Sequence, residues 1–103
     1  MDKTTILNHL ANVKNTYAQE GVIIQALFGS YARGQADTQS DIDILIEATP
    51  QFARRYGFGA FGRLREIQDE LSRALGGVPV DLADSTGMGK TAKKFILDRA
   101  IYV

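Results

Sequence analysis

Two carboxylates, Asp41 and Asp43, stand one residue apart in a run that otherwise has the make-up of a buried strand, DIDILIE. Alternate residues of a strand project from one face and lie about 6–7 Å apart along the backbone, so this pair can aim at a single point. Aspartate is disfavoured inside strands. Two held so close repel until one keeps its proton or a cation lies between them. A donor set made only of oxygen suits Mg²⁺ or Mn²⁺ rather than zinc or copper. Bridging carboxylates also serve ions spaced about 3.5–4 Å apart in two-metal phosphoryl-transfer sites. Asp81 is the candidate third carboxylate. If its strand turns that face toward the pair, Asp81 helps bind an ion or accepts the proton of an attacking hydroxyl.

Upstream of the acidic run the chain reads GSYARG. Gly29 lets a phosphate approach the backbone closely. Ser30 offers a hydroxyl and an N–H, and a short helical turn after it would present N–H groups to an anion. Arg33 can hold a terminal phosphate through two parallel hydrogen bonds. Anion donors beside metal-binding carboxylates make up a site for a metal–nucleoside triphosphate.

The elements that must position these groups follow from apolar periodicity. Ile6, Leu7, Leu10, Val13 and Tyr17 recur at helical spacing, with Thr4 or Thr5 as cap and Gly21 as stop. Val22 to Phe28 reads as a strand, Tyr31–Arg33 as a short helical turn, and 34–40 as a polar loop. Asp41 to Glu47 alternates, with Ile42, Ile44 and Ile46 on one face and Asp41, Asp43, Leu45 and Glu47 on the other. Residues 51–59 read as a loop. Phe61, Leu64, Ile67, Leu71 and Leu75 then mark a helix stopped by Gly76-Gly77. Val78, Val80 and Leu82 alternate with Pro79, Asp81 and Ala83, and Pro79 suits an edge strand. A last helix covers about 90–99, with Phe95 and Ile96 inward. The order α-β-(turn)-β-α-β-α predicts an α+β fold, an α/β sandwich with a small mixed sheet and flanking helices.

The 103 residues are expected to form one domain, 1–103, around one modest core. Formal net charge is zero, which argues against a general nucleic-acid binder. With no cysteine there is neither a disulfide framework nor thiolate chemistry. No apolar targeting segment and no run long enough to span a bilayer is present, so a soluble, cytoplasmic location without membrane partners is expected.

Gly29-Ser30-Tyr31-Ala32-Arg33-Gly34, a polar loop, then Ser40-Asp41-Ile42-Asp43-Ile44 resembles the signature of the DNA polymerase beta nucleotidyltransferase superfamily. In size and along nearly the whole chain the sequence is similar to its minimal nucleotidyltransferases, the MntA-like antitoxin partners of HEPN-domain toxins. Val80-Asp81-Leu82 falls where that family has its third carboxylate, and 96–103 where it has a closing helix and short tail. Ile44 stands where Leu is commoner, with no consequence for the site. The resemblance implies a polymerase-beta-like fold, with Asp41, Asp43 and Asp81 as catalytic, metal-binding residues. Gly29, Ser30, Arg33 and Ser40 would bind nucleotide. It further implies ATP as substrate with two Mg²⁺ (or Mn²⁺), transfer of AMP to a tyrosine hydroxyl of a HEPN toxin, and an antitoxin role. Two other readings stay open: a non-catalytic antitoxin that blocks its partner by binding, and a small-molecule nucleotidyltransferase of the aminoglycoside type working with a partner subunit or as an oligomer.

Four further features carry less. Gly87-Met88-Gly89-Lys90-Thr91 approaches a phosphate-binding loop, but Asp84 stands where its first glycine belongs. Arg54, Arg55, Tyr56, Phe58, Phe61 and Arg63 form a basic, aromatic stretch. It suits contact with base, acceptor or partner, or, for Phe61, simple entry into the helix stripe. Tyr31 either packs locally or lines the nucleotide pocket. His9, on the first helix, is expected to be exposed.

Overall fold

A computed structural model describes residues 1–103. Helix α1 spans Lys3–Ala18. Its cap is Asp2 rather than a threonine: the Asp2 Oδ1 accepts from the Thr5 N–H at 2.9 Å, which satisfies a donor the helix cannot use itself. The predicted apolar stripe packs inward through Ile6, Leu10 and Tyr17; His9 is half-buried, not exposed. Strand β1 (Val22–Phe28) runs into the one-turn helix α2 (Gly29–Ala32), and β2 covers Ile42–Ala48. The strand begins at Ile42, so Asp41 lies just before it.

The stretch read as a loop is largely helical: α3 spans Pro50–Tyr56, followed by a 3₁₀ turn at Gly57–Gly59. Pro50 occupies the first helical turn, where its missing N–H costs nothing. Phe52 and Tyr56, four apart, meet at 5.0 Å between ring centroids, and Phe52 is fully buried. Helix α4 (Ala60–Ala74) buries Ile67 and Leu71, with Leu75 just beyond it. Phe61 does not join that stripe; it is 86% exposed. Strand β3 (Val80–Asp84), a 3₁₀ turn (Ser85–Gly87) and α5 (Lys90–Leu97) follow. The chain then adds a strand that periodicity did not reveal, β4 at Ile101–Tyr102, where a closing tail was expected. Phe95 points outward, its ring 4.5 Å from the Arg99 guanidinium carbon. No helix is long and apolar enough to cross a membrane.

The sheet has the order β3-β2-β1-β4. Its β1 pairs antiparallel with β2 and β4, whereas β2 and β3 are parallel. As Pro79 foretold, β3 is an edge strand. The β1–β2 register shifts between Ile24 and Ala26, a bulge that reverses the in–out phase of β1. Val22 and Ile24 before the bulge, and Leu27 after it, therefore all face the main core, with Ile42, Ile44, Ile46 and Val80. Helices α1, α3 and α4 supply most of the rest through Ile6, Leu10, Tyr17, Phe52, Ile67 and Leu71, and Tyr31 and Ala32 of α2 and Leu75 complete it. On the opposite face Ala26 pairs with Leu45 and both are fully buried, though outside the main cluster. The 85–87 turn touches β2 and α5 touches β1, so the chain crosses that second face on its way from the β3 edge to the β4 edge.

A polar lock ties the three core-side helices together. Arg63 holds both oxygens of Glu20, each at 2.7 Å, and reaches Glu70 at 2.8 Å. The Tyr56 hydroxyl donates to Glu20 and the Tyr17 hydroxyl to Glu70. The Arg63 guanidinium pulls the Glu20 carboxyl from 4.5 down to about 2, against an opposing push from burial. A depressed carboxylate stabilises the fold fully above its unfolded value, and that contribution drains away as pH falls from about 4.5 toward 2. Arg63→Ala should cost about 2–3 kcal/mol in urea unfolding at neutral pH, between the values for exposed and fully buried pairs. It should also flatten the loss of stability below pH 4.5. An equally steep acid limb in the variant would show that Glu20 and Arg63 do not form the lock.

Candidate active site

The site lies at one end of the sheet, where β1 ends and β2 and β3 begin. Asp43 is the second residue of β2 and Asp81 the second of β3, and the parallel register sets them directly side by side. Ile44 and Val80 belong to the core-facing set, so both carboxylates project from the opposite face. Phe28, the last residue of β1, pairs with Asp43 from the other side, and the chain leaves it at Gly29. Gly29 has φ +77°, and a Cβ there would run into the Asp43 carboxylate. Glycine thus does two things at this position: it permits the left-handed turn out of β1, and it lets the turn lie against the acid.

The electrostatics are unbalanced. Burial pushes the Asp43 carboxyl above its ordinary range, the Asp81 carboxylate pushes it further, and Asp41 adds a third push. Only Arg33 pulls it back. Every ion pair in the chain belongs to Arg63, far from these groups, and none of the three aspartates has an ion-pair partner. Asp41 and Asp81 are exposed and Asp43 half-buried. Oxygen donors left with uncompensated charge fit a divalent cation. No three acidic groups close tightly enough on one point to enclose an ion unaided. A divalent cation held by one or two of these carboxylates would complete its shell with substrate phosphate and water.

The turn that faces these acids is helix α2, which has no side-chain cap. Its Ser30 is half-buried, and the exposed Arg33 directs its Nε to Gln35 at 3.1 Å, leaving its terminal amino groups unpaired. Ser40 has a different occupation. Its hydroxyl donates to Asp37 Oδ1 at 3.2 Å and accepts from the Asp37 N–H at 2.9 Å, which closes the polar loop just before Asp41. Tyr31 packs into the main core, its edge lining an open cleft of about 550 Å³ with Asp37, Ser40 and the turn 76–79. The three aspartates do not line that cleft.

The structure therefore gathers Asp41, Asp43, Asp81, Gly29, Ser30 and Arg33 at one end of the sheet. Sequence reasoning missed how closely Gly29 abuts Asp43; the signal was the strand-turn-strand length, but its phase depended on the bulge. The other candidate phosphate loop takes another form. Asp84 Oδ1 accepts from the Thr86 N–H at 3.0 Å and from its hydroxyl at 2.7 Å, and it also accepts from the Ala48 N–H. That fixes the 85–87 turn and puts an acid where a phosphate would need donors.

Unpaired acids at a sheet end, beside a glycine turn with a free arginine, are the kinds of group that a site for metal-bound phosphate esters uses. Known proteins narrow the class. Residues 12–103 match the nucleotidyltransferase domain family, and the chain belongs to it and is a nucleotidyltransferase. Two relatives from Methanocaldococcus jannaschii, each named "Putative protein adenylyltransferase", are 32% identical over 98% of this chain and 93% of theirs, and 34% identical over the same shares. A solved structure described as a "putative minimal nucleotidyltransferase" superposes with a TM-score of 0.73 at 28% identity, covering 100% of this chain and 97% of that one. The mixed sheet with flanking helices is thus the minimal nucleotidyltransferase fold.

If the aspartates carry uncompensated charge, Asp43→Asn should raise the melting temperature of the metal-free protein by roughly 2–6 °C, since like charges placed directly opposite on neighbouring strands are destabilising. The gain should vanish in millimolar Mg²⁺ with nucleotide. A lower melting temperature in calorimetry without metal would contradict the charge imbalance.

Proposed function

We propose that the chain transfers AMP from ATP to a tyrosine hydroxyl of a helical HEPN-type toxin, and so acts as the antitoxin of that protein. The observation that carries the reading is the side-by-side register of Asp43 and Asp81 next to the Gly29 turn. The protein acceptor is supported by the names of the relatives, and the toxin partner by the resemblance of the signature to minimal nucleotidyltransferases. Most of the 103 residues lie in the sheet and the helices and turns around it, and in this reading the acceptor is a separate protein.

In this reading Asp41 and Asp43 hold two divalent ions, with Asp81 beside them. Bound there, the ions would supply Lewis acidity to the reacting oxygens and charge neutralisation to the triphosphate. The chain's own groups do the remaining work. Gly29 and Ser30 seat the phosphates against the backbone of α2. Arg33 holds the terminal phosphates and stabilises pyrophosphate as it departs. The phenolic oxygen attacks the α-phosphorus, the bond to the β-phosphate oxygen breaks, and Asp81 accepts the phenolic proton. Positioning and charge stabilisation supply most of the acceleration, so loss of one acid should be severe.

Incubation with ATP labelled on either the α- or the γ-phosphate and the HEPN-type protein should place only α-label on that protein's tyrosine. Asp41→Asn and Asp43→Asn should each lower this transfer at least about a hundredfold with the circular dichroism unchanged. Arg33→Ala should raise the KM for ATP about tenfold or more. Retained transfer in both aspartate variants would overturn their roles. Tight binding without label would favour a non-catalytic antitoxin, and label confined to a small molecule would favour the aminoglycoside type.

A further inference from the structure

The far end of the molecule carries a second feature, which the site does not use. Gln51 through Arg65 contains four arginines and no aspartate or glutamate, in a chain of zero formal net charge. Folding consumes only part of this stretch. Phe52, Tyr56 and Arg63 go to the core and the polar lock. Phe58 and Phe61 are left outside, 108% and 86% exposed, on the turn that joins α3 to α4. Arg54 and Arg55 on α3 and Arg65 on α4 flank that turn in the chain, all exposed and none in an ion pair. Arg55 lies 5.5 Å above the Tyr56 ring, which holds its charge at the rim. A fully exposed phenylalanine pair gains nothing for the isolated fold, and the core it adjoins is already closed by Phe52.

We infer that the α3–α4 tip, with Phe58 and Phe61 as anchors inside a rim of Arg54, Arg55 and Arg65, docks an acidic surface of the folded acceptor protein. This rests on the reading of the chain as a protein-modifying nucleotidyltransferase. Aromatic and arginine residues are the side chains that dominate protein–protein hot spots, and three exposed arginines without ion-pair partners suit carboxylates opposite them. The tip is too small to pair with itself: two phenylalanines from each copy offer about 600–1,000 Å² in all, against roughly 1,600 Å² for a standard interface, and a symmetric contact would oppose arginine to arginine. A knob of this kind contributes anchors to a larger contact. Position supports the same conclusion. Pro50 follows the C-terminal end of β2 while Asp43 lies at its beginning, so the helix that leads to the tip starts about 20 Å from the acids, the length of a seven-residue strand. A folded helical domain spans that distance; a small molecule does not. The tip thus selects the protein that bears the tyrosine, without touching the tyrosine.

The test measures transfer and binding with the HEPN-type protein as acceptor, using the full chain, Phe58→Ser/Phe61→Ser and Arg54→Glu/Arg55→Glu. Both double variants should raise Kd and KM for the folded acceptor at least tenfold. They should leave kcat, the affinity for Mg²⁺ with α,β-methylene-ATP, and transfer to a short peptide carrying the acceptor tyrosine unchanged. The charge-reversed pair should also lose most of the salt dependence of binding. If the unaltered chain neither binds nor labels the acceptor, the functional reading falls and the docking surface with it. If the unaltered chain binds and the variants match it, only the docking surface falls. Variants that alter self-association in sedimentation, or retention of single-stranded RNA, while acceptor binding is untouched would assign the tip to those partners and overturn the proposal.

Discussion

The constraint on which this molecule depends is the parallel pairing of β2 with β3 in a register that sets Asp43 against Asp81. Like charges directly opposite on neighbouring strands oppose folding. Burial of Asp43 makes matters worse, and no cationic side chain is bonded to either acid to relieve it. A fold tolerates such a pair when the rest of the sheet determines the register. Ile42, Ile44 and Val80 do so here: a slip of one residue would turn this apolar set out of the core and the acids into it. The same hydrophobic alternation that builds the core thus holds the acids together on the other face.

The two faces of the sheet are built for different purposes. The core face receives three helices and a continuous apolar cluster, reinforced where α1, α3 and α4 meet by the Glu20–Arg63 lock. The second face is fully buried at Ala26 and Leu45, and the end that bears Asp41 and Asp81 is exposed. The bulge between Ile24 and Ala26 links the two: by reversing the phase of β1 it puts Leu27 in the core and Phe28 beside Asp43, so that Gly29 leaves the strand against the acid.

The acids, the glycine turn and the edge position of β3 were legible because each rests on a local rule: period-2 alternation, an aspartate where strands avoid it, a proline that an inner strand would reject. The fold class and element order followed from the same periodicities. What stayed hidden depends on tertiary contact. Residues 51–59 resemble a loop because glycine and arginine dominate them, and only Pro50 with Phe52 and Tyr56 marks α3. Strand β4 has two residues and exists because β1 offers a free edge. Phe61 and Phe95 sit at helical spacing with core residues yet face outward, since the stripe is full without them. Whether Ser40 closes its loop or meets nucleotide cannot be read from its type; its bonds with Asp37 show that it at least closes the loop.

The most direct test is a titration of the chain with Mn²⁺ in the presence of α,β-methylene-ATP, observed through the side-chain carboxyl ¹³C resonances of labelled aspartate. The account predicts that Asp41, Asp43 and Asp81 broaden together at the lowest Mn²⁺ additions while Asp69, on the exposed face of α4, stays sharp. Broadening of Asp41 and Asp43 with Asp81 untouched, or no selective broadening of any of the three, would contradict the shared site.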